Sequence, residues 1–127
     1  MPKVLVIDDD EELRFLYRRV LEWGGHEVIL GEDGLRGLAV AQRQRPDAIV
    51  LDLMMPIMDG YDVLDLLTND DRTRHIPVIV LSAVSLTDAR ARCERSGAAR
   101  FMSKPFEPEA LMGAIDELVG SSGATVS

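Results

Sequence analysis

A single cysteine, Cys93, stands in a chain of 127 residues. It cannot close an internal disulfide, and one thiol suits a reducing compartment. In an arginine-rich stretch with no partner base, it reads as structural or inert. Basic residues are also scarce: 14 Lys and Arg stand against 22 Asp and Glu, a net charge of −8. A nonspecific nucleic-acid binder needs basic surface to meet phosphate, so the balance argues against that class. Long apolar runs are missing too. Near the start only Val4 to Ile7 are apolar in succession, too few for a signal-peptide core or a membrane span. Neither of the two histidines, His26 and His75, has a second ligand at useful spacing, so both are expected at surface or turn positions. No repeat or low-complexity segment interrupts the pattern. What remains is a cytoplasmic, acidic, single-domain protein, long enough to bury one sizeable core.

Short apolar runs alternate with longer amphipathic stretches. The runs are Val4–Ile7, Glu27–Leu30, Ala48–Leu51, Pro77–Leu81 and Ala99–Met102. Three of them are nearly continuous Val, Ile and Leu, as expected of strands buried on both faces of a parallel sheet. Between them lie helical stripes: Leu13, Leu16, Tyr17, Val20 and Leu21, stopped by Gly24-Gly25; Leu35, Leu38 and Ala39, ended before Pro46; and Val63, Leu64, Leu66 and Leu67. A fourth runs from Ala89 to Arg95, and a fifth carries Leu111, Ala114, Ile115 and Leu118. Arg90, Arg92, Arg95 and Arg100 read as solvated surface, not as a nucleic-acid patch. Five strand–helix repeats predict a three-layer α/β domain over 1–119, because parallel neighbours need crossover helices. Residues 120–127 are small and unpatterned and read as a flexible tail or linker stump.

Polar residues collect at the ends of four strands. Asp8-Asp9 end the first, Asp52 the third and Ser82 the fourth, and Lys104 follows the fifth. Open α/β sheets bind ligands beyond the carboxyl ends of their strands. If the strand order is the flavodoxin-like 2-1-3-4-5, these residues converge on one patch. Three carboxylates so close together need a compensating cation. An all-oxygen donor set without His or Cys favours a hard ion, Mg²⁺ above others. A carboxylate beside Mg²⁺, a hydroxyl and a lysine suits aspartyl-phosphate chemistry. Asp10 reads differently, as support for a helix start.

These residues resemble the receiver domains of two-component response regulators, and among them the single-domain chemotaxis-type regulators. The resemblance runs from Lys3 to about Val119 and is carried by four segments in order: Val4-Leu5-Val6-Ile7-Asp8-Asp9, Pro46 to Pro56 with Met58-Asp59-Gly60, Val78 to Ala83, and Phe101 to Phe106. It implies the flavodoxin-like (βα)5 fold of order 2-1-3-4-5. It also implies that Asp52 is the phosphoacceptor, that Asp9 binds Mg²⁺ directly, and that Asp8 acts through a metal-bound water. Met54 would complete the metal site with its backbone carbonyl, and Lys104 would pair with the phosphoryl oxygens. Ser82 matches the switch hydroxyl and Phe101 the aromatic switch, together remodelling the face of the fourth helix, fifth strand and fifth helix. Lys104-Pro105 resembles the family's cis peptide.

The implied partner is a sensor histidine kinase or histidine phosphotransfer protein. The output would be a downstream effector or a fused output domain outside this chain, with no direct role for nucleic acid or membrane. Phe15 lies on the first helix away from its core stripe, where the family docks its kinase. Such a domain is a phosphoacceptor that assists its own phosphorylation and dephosphorylation, not an enzyme. Met54 and Val84 offer no hydrogen bond to an attacking water, which implies a long-lived phosphorylated state. Two rival readings are weaker. A haloacid-dehalogenase-type phosphatase would use Asp8 as nucleophile, but it leaves Asp52 unexplained and lacks a suitable acidic pair beyond Lys104. A degenerate receiver acting only as a docking module would need none of the five polar residues.

Overall fold

A computed structural model describes residues 2–53, 59–82, 87–104 and 107–124. Strands and helices alternate along the chain: β1 (Lys3–Ile7), α1 (Glu11–Trp23), β2 (Glu27–Gly31), α2 (Gly34–Gln44), β3 (Ala48–Asp52), α3 (Gly60–Asn69), β4 (Val78–Ser82), α4 (Thr87–Arg95), β5 (Arg100–Ser103) and α5 (Pro108–Ala124). The strands form one parallel sheet of order β2-β1-β3-β4-β5. The three apolar runs are its central strands, and β3 and β4 are buried along their whole length. β5 lies at an edge and is half exposed, which is why its run mixes Arg, Phe, Met and Ser.

Alternate residues of each strand feed two cores. On one face Leu5, Ile7, Ile49, Leu51, Val78 and Val80 pack against α2, α3 and Cys93 of α4. On the other, Val4, Val6, Val50, Ile79 and Leu81 meet Tyr17 and Leu21 of α1 and Leu111 and Ile115 of α5. That is the three-layer arrangement the repeats imply. Each of the first three helices opens on an aspartate cap. Asp10 Oδ1 accepts from the Glu12 and Leu13 N–H groups at 2.9 and 3.3 Å, Asp33 from Arg36, and Asp59 from Asp62. Asp10 is thus a cap, as its position suggests.

Three local expectations are corrected. The buried face of α2 is Gly34, Gly37 and Ala41, while Leu35 and Ala39 point outward. The helix lies so close to the sheet that a Cβ at Gly37 would stand 2.6 Å from Ile7 Cδ1, so only small residues fit its inner side. His26 is not at the surface. The Gly24-Gly25 turn, with Gly25 at φ 91°, folds it under α5, where Nε2 lies 2.9 Å from Asp116 Oδ1. Finally, α5 continues to Ala124, past the 119 boundary where the tail of 120–127 was expected to begin. Extending a packed helix adds hydrogen bonds without a new nucleation cost. Among the described residues, no helix is long and apolar enough to cross a membrane.

Candidate functional site

Strand register assembles the polar residues. Ile7 pairs with Leu51, which sets Asp8 beside Asp52; Asp52 pairs with Leu81, and Ser82 with Ser103. The chain is then tied down past each strand end. Asp8 N donates to Gly31 O at 3.2 Å, Leu53 N to Leu81 O at 3.1 Å, and Lys104 N to Ser82 O at 2.7 Å. Gly60 seats α3 behind this edge, its N–H donating to Leu53 O at 2.9 Å. Five residues far apart in sequence thereby meet at one sheet edge.

Asp8, Asp9 and Asp52 each present a carboxylate oxygen within 4.8 Å of the others. Asp8 and Asp52 are buried and Asp9 is exposed, so the cluster opens to solvent on one side. Asp8 Oδ1 accepts from the Asp10 N–H at 2.9 Å, whereas its buried Oδ2 finds no donor among the described residues. Burial pushes the Asp8 carboxyl up to about 7. The Asp52 charge adds to that rise, while the Asp10 N–H and the Lys104 ammonium oppose it. An orphaned oxygen between like charges is a place for a proton or a cation. Oxygen-only donors, one of them solvent-facing, fit a hard divalent ion that keeps water ligands.

Lys104 Nζ lies 3.4 Å from Asp52 Oδ2, with the lysine side chain one-fifth exposed. Burial alone would lower the pKa of its ammonium, but the neighbouring Asp52 carboxylate foremost, with Tyr17 and Asp8 beside it, outweighs that effect and raises it. Lys104 therefore stays cationic. Ser82 is buried at the end of β4. Phe101, opposite Val80, is half-buried against the core shared by α2, α3 and Cys93. Met54 and Val84 lie outside the described residues, as does Pro105 of the Lys104-Pro105 peptide. Phe15 is 55% exposed and lines a groove of about 920 Å³ between α1 and α5, together with Leu16, Trp23 and Met112.

Two residues join the site without having stood out in the sequence. Arg14 donates from Nη1 to the Asp8 backbone carbonyl at 2.6 Å, bracing the loop that carries the acids. Its i+6 spacing from Asp8 was the only available signal, and any charged face of α1 would show one like it. Tyr17 reads as a member of the core stripe, and its ring is indeed buried there. It also lines a pocket together with Lys104, whose charge bears on its phenol. Burial raises the Tyr17 pKa, the Lys104 charge opposes the rise, and the Asp8 and Asp52 charges reinforce it.

Comparison with known proteins agrees with this geometry. A family model described as the response regulator receiver domain matches residues 4–116. The polar-differentiation response regulator DivK of Brucella anthropi is 34% identical over 123 residues, covering 96% of this chain and 100% of DivK. The DNA-binding dual master transcriptional regulator RpaA of Synechocystis is 38% identical over 119 residues, covering 94% of this chain; the chain spans about half of RpaA, 49% of its length. Among solved structures, the receiver domain of a Pseudomonas aeruginosa sensor histidine kinase, with a magnesium ion coordinated in its active site cleft, is similar at TM-score 0.86 and 28% identity. That match covers 94% of this chain and 98% of the other.

Proposed function

Because the chain belongs to the response-regulator receiver family, we propose that it is a phosphoaccepting switch whose nucleophile is Asp52. The observation that carries this reading is the setting of the Asp52 carboxylate, buried at the end of β3 with a lysine ammonium 3.4 Å away and two more carboxylates within 4.8 Å. The donor is a phosphohistidine on a sensor histidine kinase or phosphotransfer protein. An Asp52 carboxylate oxygen forms the new O–P bond while the N–P bond breaks; the electron pair passes to the imidazole nitrogen, which takes up a proton.

Asp8, Asp9 and Asp52, with the backbone carbonyl of Met54, would hold Mg²⁺, and the magnesium-bearing Pseudomonas receiver supports that choice. When bound, the ion supplies positive charge against the gathering negative charge of acceptor and phosphoryl group. Lys104 orients the phosphoryl oxygens and neutralises part of their charge. Ser82 then donates its hydroxyl to the phosphoryl group, and its movement makes room for Phe101 to turn inward, altering the α4–β5–α5 face. Phe15 marks α1 as the docking helix for the donor. The phosphatase and docking-module alternatives find no support in the family match.

Incubation with acetyl phosphate tests this. With Mg²⁺ the intact mass rises by one phosphoryl group, and with a chelator in excess it does not. No mass gain under any Mg²⁺ concentration would overturn the reading.

A further inference from the structure

Beside Lys104, between α1 and α5, lies a pocket of about 260 Å³ walled by Leu13, Leu16, Val20, Pro108 and Leu111. Tyr17 and Leu111 are buried and make its floor, whereas Leu16 and Pro108 are exposed and make its mouth. Leu16, Val20 and Pro108 also line the larger groove outside, so the pocket opens onto that groove. Apolar walls that face one another across such a gap gain dispersion contacts when an apolar group enters. A dry apolar cavity of about 150 Å³ already takes up benzene. This one has room for a body of that size and a small head group.

Charge in the pocket has one sign. Lys104 carries the only formal charge among the described residues that line it, while Glu11, Glu12 and Glu109 line the outer groove and not the pocket. An ammonium has three donors, and Asp52 Oδ2 takes one of them at 3.4 Å. The flexible four-carbon stem lets the head group serve an acceptor on the pocket side as well. A carboxylate suits it best, because charge-assisted hydrogen bonds are about twice as strong as neutral ones. Asp8, Asp9 and Asp52 stand close by and oppose an anion here. A divalent cation held among the three acids cancels that repulsion.

We propose that this pocket binds a small amphipathic carboxylate, its apolar tail between α1 and α5 and its head on the Lys104 ammonium, and that the bound ligand restrains phosphorylation. The restraint rests on the phosphoacceptor reading of Asp52, and the binding does not. A carboxylate on the pocket side draws the ammonium away from Asp52 Oδ2, so it no longer meets the phosphoryl oxygens. No covalent bond forms or breaks. The ligand and the phosphoryl group compete for one side chain.

Hexanoate is the probe and hexanol its uncharged counterpart, each titrated into the full chain in saturating Mg²⁺ and followed by amide NMR. Hexanoate is expected to give saturable shifts at Leu13, Val20 and Leu111 with a Kd on the order of 1 mM, and hexanol to bind about tenfold more weakly. Val20→Phe fills the pocket from α1, and Leu16→Trp blocks its exposed mouth without entering the core. Each is expected to weaken hexanoate about tenfold, with melting temperatures confirming that the variants fold. Saturating hexanoate is expected to slow Mg²⁺-dependent phosphorylation by acetyl phosphate about tenfold in wild type and to leave Val20→Phe unaffected. Absence of saturable shifts, or unchanged hexanoate affinity in both variants, would overturn the site. Equal affinity for hexanol would overturn the carboxylate and mark a seat for a partner's apolar side chain. Binding that leaves the wild-type rate unchanged would overturn the restraint. If wild type takes up no phosphoryl group even without hexanoate, the phosphoacceptor reading fails, and the titration still decides the pocket.

Discussion

Asp8→Asn tests the electrostatics of the pocket in isolation. The Asp8 carboxyl rises from 3.8 to about 7 on folding, chiefly through burial. Between those two values the folded state holds a proton that the unfolded state has released. Stability from this group is therefore present below pH 4 and is lost as pH rises toward 7. The full shift corresponds to about 4 kcal/mol, and sharing of the charge among Asp8, Asp52 and Lys104 reduces the net effect to roughly 2–4 kcal/mol. Asparagine keeps the oxygen that accepts from the Asp10 N–H and removes the charge. In chelator at pH 8, the variant is expected to be more stable than wild type by roughly 2–4 kcal/mol in urea titration. The advantage shrinks toward zero near pH 4. Saturating Mg²⁺ narrows it at pH 8, because only wild type regains the cation. A stability difference independent of pH, or an asparagine variant weaker than wild type at pH 8 in chelator, would refute the argument.

Other consequences follow from the same geometry. Mg²⁺ must displace the Asp8 proton, so its affinity is expected to fall about tenfold for each pH unit below 7, with proton release seen in calorimetry; a flat profile from pH 5 to 8 contradicts it. Gly60→Ala would press a Cβ into the Leu53 Cα and within 2.8 Å of the Asp52 carbonyl oxygen. Backbone cannot yield there, so the expected cost is about 2–4 kcal/mol, read from urea midpoints, and an unchanged midpoint argues against the close approach of α3. Phe15→Ala is expected to slow transfer from the cognate kinase several-fold while leaving acetyl-phosphate labelling intact, since the side chain lies on the open groove of α1; equal loss of both signals misfolding.

Much of this molecule is legible in one sequence because buried parallel strands leave so plain a trace. Val4–Ile7, Ala48–Leu51 and Val78–Leu81 are apolar on both faces, and both faces are covered. Since each strand ends within one residue of its apolar run, the polar residues at or just past that point are also located, which is why Asp8, Asp9, Asp52, Ser82 and Lys104 could be placed on one edge. Helix faces are harder. The inner side of α2 is built from glycines and alanine because the helix nearly touches Ile7, so a search for large apolar residues finds Leu35 on the wrong side. His26 is polar by type but buried by the turn that follows α1, a tertiary effect with no local signature. Tyr17 shows the converse: its ring satisfies the stripe, and nothing in spacing tells where the hydroxyl ends.

The central claim is that Asp52 alone accepts the phosphoryl group, and locating the modified residue tests it most directly. Wild type, Asp52→Asn and Asp8→Asn are each incubated with acetyl phosphate and Mg²⁺, and the phosphorylated peptide is identified by mass spectrometry. The expected result is label on the peptide containing Asp52 in wild type, none in Asp52→Asn, and slower labelling at the same residue in Asp8→Asn. Label persisting in Asp52→Asn, or moving to Asp8 in the wild-type chain, would contradict the account.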